Sequence, residues 1–299
     1  MNYLKKQEFW KMKNILTFTM IVLAAFAFTG CDDDNCDTIV YDYDMEPTAP
    51  QGVYSITGNN AVYVYWNGLY DPDIYEYVVY RSDDPIYDYA AIGFVDPYPR
   101  PSSNVYEYVD NTADNGDTYY YAVLAVDSAG QASELSWEEV MDTPRPDGEV
   151  TLFSNYVRPD SAGFNFYYHL RVPDTSSICD VFVDSVGGVF YLNVGNYDHI
   201  YGKIQDVGNS FYFTELIGYA PIDGWSDLGY VEIIEDHSYV IYTYDYHYAL
   251  LTVKSFNGDG SVTFDWAYQT APDNPELSPS PDGNDRRTVR PEKKAVALR

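Results

Sequence analysis

Asn115-Gly-Asp-Thr-Tyr-Tyr-Tyr-Ala-Val-Leu-Ala-Val-Asp-Ser-Ala-Gly130 decides the fold. Its middle alternates, so Tyr119, Tyr121, Val123 and Ala125 share one face of an extended strand, and Ser128-Ala-Gly130 closes that strand with a turn. Upstream, Ala61-Val-Tyr-Val-Tyr-Trp66 puts Val62, Val64 and Trp66 on one face and Tyr63 and Tyr65 on the other, which makes Trp66 the expected central core aromatic. Tyr77-Val-Val-Tyr-Arg81 alternates as well, with Tyr77 and Val79 inward. Turn signals recur at intervals of about 8–12 residues and no helical period is visible, the pattern of an all-β sandwich.

Pro50, Trp66, Tyr77-Val-Val-Tyr-Arg81, Gly116-Asp-Thr-Tyr119 and Ala125-Val-Asp-Ser-Ala-Gly130 stand in the order and spacing of a fibronectin type III domain, which residues 47–144 therefore resemble. The resemblance implies a seven-stranded, two-sheet sandwich with Tyr119 at a tyrosine corner, its hydroxyl bonded to backbone upstream. No Arg-Gly-Asp tripeptide is present, so integrin-type adhesion is not implied. In bacteria such domains serve as spacers or binding modules.

Residues 145–148 read as a short linker, in a stretch 142–148 made rigid by Pro144 and Pro146, and a second antiparallel β domain is expected over 149–270. In Gly163-Phe-Asn-Phe-Tyr-Tyr-His-Leu-Arg-Val172 the alternation predicts one strand with Phe164, Phe166, Tyr168 and Leu170 facing one way. A meander follows over 238–244, 248–255 and 261–268, its last pair joined by Asn257-Gly-Asp-Gly260, and Val262, Phe264, Trp266 and Tyr268 share one face. His237-Ser-Tyr-Val-Ile-Tyr-Thr and His247-Tyr-Ala-Leu-Leu-Thr-Val resemble the terminal hairpins of HmuY-type haem-scavenging lipoproteins. That resemblance makes His237 and His247 candidate haem or metal ligands, with His169 and His199 elsewhere. None of the four has metal-ligand spacing, and the plain alternative is strand-end and surface histidines.

The first 30 residues read as a leader. Lys5, Lys6, Lys11 and Lys13 precede an apolar run from Ile15 to Phe28, too short for a permanent span. Phe28-Thr-Gly-Cys31 resembles the lipobox of bacterial lipoproteins, departing from it in Phe28; the resemblance implies a diacylated Cys31 at the mature N-terminus. The alternative is a plain secretory signal. Residues 31–46 form an acidic tether whose Asp32-Asp-Asp-Asn35 resembles the surface-export signal of Bacteroidota lipoproteins, implying an outer-membrane, cell-surface location; a periplasm-facing protein is equally compatible with an acidic tether. Cys36 and Cys179 are left over, and they pair only if the tether folds back. The stretch 271–299 is proline-rich, then basic, and is expected to be disordered.

Residues 31–276 hold 7 of the 17 basic and 42 of the 46 acidic residues, a net of about −35. Such a surface repels phosphate, which excludes unaided nucleic-acid binding, and leaves membrane attachment to the lipid. No nucleophile elbow, phosphate loop or dinucleotide loop is present, and carboxylates are too abundant for any pair to signify, so no enzyme activity and no cofactor are expected. The 33 tyrosines fit β propensity, and where they reach outer sheet faces they fit recognition of a glycan or protein ligand. The reading is a lipid-anchored binding or display module of the envelope. The alternatives are a non-catalytic accessory subunit of a glycan-degrading system and a haem or metal scavenger.

Overall fold

The computed structural model describes residues 45–138, 140–197, 200–209 and 218–277. The leader, Cys31, Cys36, the tether as far as Asp44, His199 and the stretch beyond Leu277 lie outside the described residues.

Seven strands build the first sandwich: β1 (Gln51–Gly58), β2 (Ala61–Asn67), β3 (Ile74–Ser82), β4 (Ala90–Val95), β5 (Val105–Asp110), β6 (Tyr119–Asp127) and β7 (Val140–Asp142). They pair antiparallel in two sheets, β1-β2-β5 and β4-β3-β6-β7, the two-sheet architecture that the fibronectin type III resemblance implies. Between the sheets Trp66 is fully buried, edge-on to Tyr77 at 5.6 Å between ring centroids and stacked on Tyr106 at 6.0 Å. Each such aromatic contributes roughly 2–3 kcal/mol by leaving water. The Tyr119 hydroxyl accepts the Asp114 N–H at 3.1 Å. Tyr121 donates to Asp110 at 2.9 Å, and Arg81 pairs with the same carboxylate at 2.8 Å. Burial alone would raise the Asp110 carboxyl, but the bonds from Thr112, Arg81 and Tyr121 outweigh it and hold that group below the usual carboxylate range.

Alternation places Val78 and Tyr80 on the outer face of β3, yet both are buried. With Tyr89, Ala122 and Leu124 they form a small second core, because the chain between β3 and β4 returns Tyr89 onto the outside of the sheet.

The second sandwich comprises β8 (Asp147–Phe153), β9 (Gly163–Asn165), β10 (Leu170–Val172), β11 (Val181–Val186), β12 (Val189–Val194), β13 (Asn196–Tyr197), β14 (Ile200–Tyr201), β15 (Lys203–Asn209), β16 (Tyr230–Glu232), β17 (His237–Tyr242), β18 (Tyr248–Asn257) and β19 (Ser261–Tyr268). One sheet runs β10-β9-β11-β12-β16 and the other β15-β17-β18-β19-β8, with β13-β14 as a separate ribbon. Phe164, Phe166, Leu192, Ile204, Tyr239, Ile241 and Phe264 meet between them. Tyr239 repeats the device of Tyr119: fully buried, its hydroxyl accepts the Ile234 N–H at 2.8 Å and donates to the Glu232 carbonyl at 3.0 Å.

The strand expected over 163–172 is instead the hairpin β9–β10. Asn165 Oδ1 accepts the Tyr168 N–H at 2.8 Å, His169 takes a left-handed φ of 55°, and Asp180 accepts the Phe166 N–H at 2.8 Å. These side chains give the backbone a turn in place of a sheet ladder, so Phe164 and Phe166 stay inside while Tyr168 and Leu170 are exposed. Cys179 is a buried free thiol, pushed up to about 12 chiefly by burial.

The stretch read as a linker is packed. Arg145 is nearly inaccessible, with Asp142 and Glu276 as its main counter-charges, and β8 begins within the linker at Asp147. Gly116 faces Thr270 of the second sandwich: its φ is 90°, and a Cβ there would lie 2.7 Å from Thr270 Oγ1. The tail expected to be disordered from residue 271 is in place as far as Leu277, which is fully buried, while Glu276 accepts the Thr143 hydroxyl proton at 2.5 Å. Nothing in the Pro-rich composition of this segment announces partners that lie more than 100 residues upstream.

Candidate functional site

On β17, Tyr239 and Ile241 enter the core, so Val240 and Tyr242 face outward. Tyr242 is paired with Lys203 of β15 on one side and with Tyr248 of β18 on the other, giving a row Lys203–Tyr242–Tyr248 across three strands. The Tyr242 and Tyr248 rings lie 4.7 Å apart, and the Lys203 ammonium stands 5.9 Å from the ring centres of both Tyr242 and Trp225. Trp225 and Tyr219 come from residues 219–225, ahead of β16, which form the facing wall. The groove between is about 510 Å³.

The wall is held by the 271–277 segment. Ala220 donates to the Pro275 carbonyl at 2.7 Å, Leu277 donates to the Gly218 carbonyl at 3.0 Å, and Leu277 packs with Ala220, Val240 and Leu250 beneath the groove. Tyr242 donates to Asp273 at 2.6 Å. Burial first, and then the Asp273 carboxylate, raise the Tyr242 pKa, so its hydroxyl stays protonated at the rim. Two aromatic faces, a fixed hydroxyl and carboxylate, and one cation are the components of a stacking site with polar edges.

A second, shallower cleft of about 750 Å³ lies on the first sandwich. Tyr75, Phe94 and Tyr98 are exposed around it, with Asp73, Glu76 and Asp96 among its lining. Tyr98 is positioned by its N–H to Asp96 at 2.8 Å and its hydroxyl to the Pro72 carbonyl at 3.1 Å.

Among the described residues the histidines form no pair. His237 opens β17, its Nδ1 3.0 Å from both oxygens of Asp206, while His247 lies past the far end of that strand, its Nδ1 2.9 Å from the Gln269 carbonyl. The length of β17, six residues beginning with His237 or roughly 20 Å, sets them apart, so one haem iron cannot take both. His169 rests on Trp266 with 4.8 Å between ring centres, and burial lowers its pKa. Among the described residues no group of three or more His, Cys, Asp or Glu is placed to hold a metal ion. Trp66 and Tyr119 sit in the first core and line neither groove.

Lys203, Tyr219 and Trp225 were not among the residues singled out by sequence. They come from separate segments and share no spacing; the one available signal was Tyr242, whose outward direction follows from the alternation of its strand.

No family model matches the chain. Over 131 residues, 44% of the chain, it is 30% identical to an amylopullulanase of Thermoanaerobacterium thermosulfurigenes; the chain spans 6% of that relative's length. Among solved structures it is similar to an Fn3-like protein from Clostridium thermocellum, at 24% identity and a TM-score of 0.28, over 35% of this chain and 100% of that one. It is also similar to a β-1,2-glucanase from Parabacteroides distasonis, at 28% identity and a TM-score of 0.27, over 34% of this chain and 13% of that one.

Proposed function

We propose that the protein is a lipid-anchored, non-catalytic saccharide-binding module of the bacterial envelope that works alongside glycan-degrading enzymes. The observation that carries the binding reading is the groove lined by Tyr242, Tyr248 and Trp225, half-buried rings beside a polar rim. Pyranose rings present apolar C–H faces that stack on aromatics and equatorial hydroxyls that bond to groups such as Asp273 and the Tyr242 hydroxyl. The likeness to part of an amylopullulanase supports a place beside glycan-degrading enzymes. The basic leader, its apolar run and Cys31 support the anchor, and the acidic run after Cys31 supports an outward-facing position.

A glycan array probed with the full chain tests the reading. Trp225→Ala is expected to weaken binding by at least about thirtyfold, the ~2 kcal/mol of a central aromatic contact, measured below the variant's melting transition because the half-buried ring also packs on the cluster of Ala220, Val240, Leu250 and Leu277. An array on which wild type and variant are equally blank overturns it. For the anchor, Cys31→Ala is expected to move the protein from the membrane fraction to the soluble fraction, and an unchanged distribution would remove the lipid from the account.

A further inference from the structure

We infer that the groove of the second sandwich takes a glycan carrying one isolated carboxylate, a uronic or sialic acid residue on an otherwise neutral chain, with Lys203 as the residue that reads the charge. The inference rests on the saccharide reading above and adds a ligand class to it.

Lys203 is an exposed ammonium in a body with very few cations. Arg81 is paired with Asp110 and Lys254 with Glu149 and Asp265, while Arg145 is buried within the field of Asp142, Glu276 and Asp147. Lys203 makes no ion pair among the described residues. It stands instead over two ring faces, those of Trp225 and Tyr242, at the edge of the groove. Its place is fixed by β15, where it pairs with Tyr242 in the ladder, so the charge sits beside the ring on which a pyranose would stack. The carboxylate of that sugar, borne on C5 in a uronate and on C2 in a sialate, can meet such an ammonium while a sugar face stays on the aromatic.

Charge also limits the ligand from the other side. With 42 acidic residues against 7 basic over 31–276, the body repels a polyanion, and a polyuronate would set several carboxylates against that field for one ammonium gained. Asp273, held by Tyr242 at 2.6 Å, lies close to the row and prefers a hydroxyl to a second carboxylate. A single acidic residue flanked by neutral sugars satisfies both constraints.

The test uses the full chain on an array of matched glycans: neutral oligosaccharides, the same chains capped with one glucuronate or sialate, and polyuronates. The expected result is binding to singly acidic glycans about tenfold or more tighter than to their neutral counterparts, with polyuronates below both and the preference shrinking as salt rises. Lys203→Gln should bring acidic and neutral forms to parity, and Lys203→Arg should keep the preference. Binding to neutral glycans that is lost in Trp225→Ala but shows no acidic preference overturns this inference and leaves the saccharide reading standing. Binding to nothing on the array overturns both.

Discussion

Acidification from pH 8 to pH 5 is expected to raise the melting temperature of the protein by about 5–10 °C, where carboxylate-rich proteins held by ion pairs lose stability on the same path. Three buried acids set the direction. Asp180 is raised to about 7, chiefly by burial, with the Asp245 charge adding to it and the Phe166 N–H opposing it. Glu276 and Asp142 are both raised, again by burial first, because the single Arg145 cannot compensate two carboxylates enclosed beside it. An acid whose folded pKa lies above its unfolded value contributes stability that is fully present below the unfolded pKa, near 4, and is lost as pH rises through the folded one. For these groups the window is therefore about pH 4 to 7, and their joint contribution across it is on the order of 2–4 kcal/mol.

Other groups act in the opposite sense. Asp110 is held low by Thr112, Arg81 and Tyr121, so its contribution disappears only in stronger acid, and His169, lowered by burial, opposes the trend mildly below its unfolded pKa near 6.5. A stability maximum near pH 4–5 is the expected balance. Glu276→Gln keeps an acceptor for the Thr143 hydroxyl and leaves Asp142 and Arg145 as a one-to-one pair, so it should be more stable than wild type at pH 8 and nearly equal at pH 5. Melting curves at both values check this; a wild type that melts lower at pH 5 than at pH 8 contradicts it.

Much of this architecture was legible residue by residue, and the losses have a common cause. The faces of β2, β6 and β19 follow from period-two alternation, because one side of each strand meets the core and the other does not. Alternation misread 163–172, since apolar residues at every second position also occur across a tight turn when Asn165 and Asp180 hold its N–H groups. It also gave Val78 and Tyr80 to solvent, because Tyr89, which covers them, arrives by a loop whose path no local pattern encodes. The groove was hidden for the same reason: its row crosses three strands and its wall comes from a fourth segment, so only the pairing register unites Lys203, Tyr242 and Tyr248.

Ending the chain after Thr270 is expected to cost on the order of 3–5 kcal/mol relative to a chain ending after Leu277, and to abolish saccharide binding. The seven residues removed look dispensable by composition, and their packing says otherwise. Leu277 fills the space among Ala220, Val240 and Leu250, and losing a wholly buried leucine costs about 2–5 kcal/mol through lost burial and the cavity left behind. The Pro275 carbonyl and the Leu277 N–H are the backbone partners of Ala220 and Gly218, so their removal releases the wall that carries Tyr219 and leads to Trp225. Loss of Asp273 also frees the Tyr242 hydroxyl. Part of the cost is returned, because Glu276 leaves with the segment and Asp142 then shares Arg145 with no second carboxylate. That return is largest at high pH, where Glu276 is ionised, so the truncation should appear more damaging at pH 5 than at pH 8. Leu277→Ala, which keeps Glu276 and Asp273, should show the packing cost at both pH values without that difference. Equal melting temperatures for the two chain lengths at pH 5 would mean that the segment carries none of the load assigned to it.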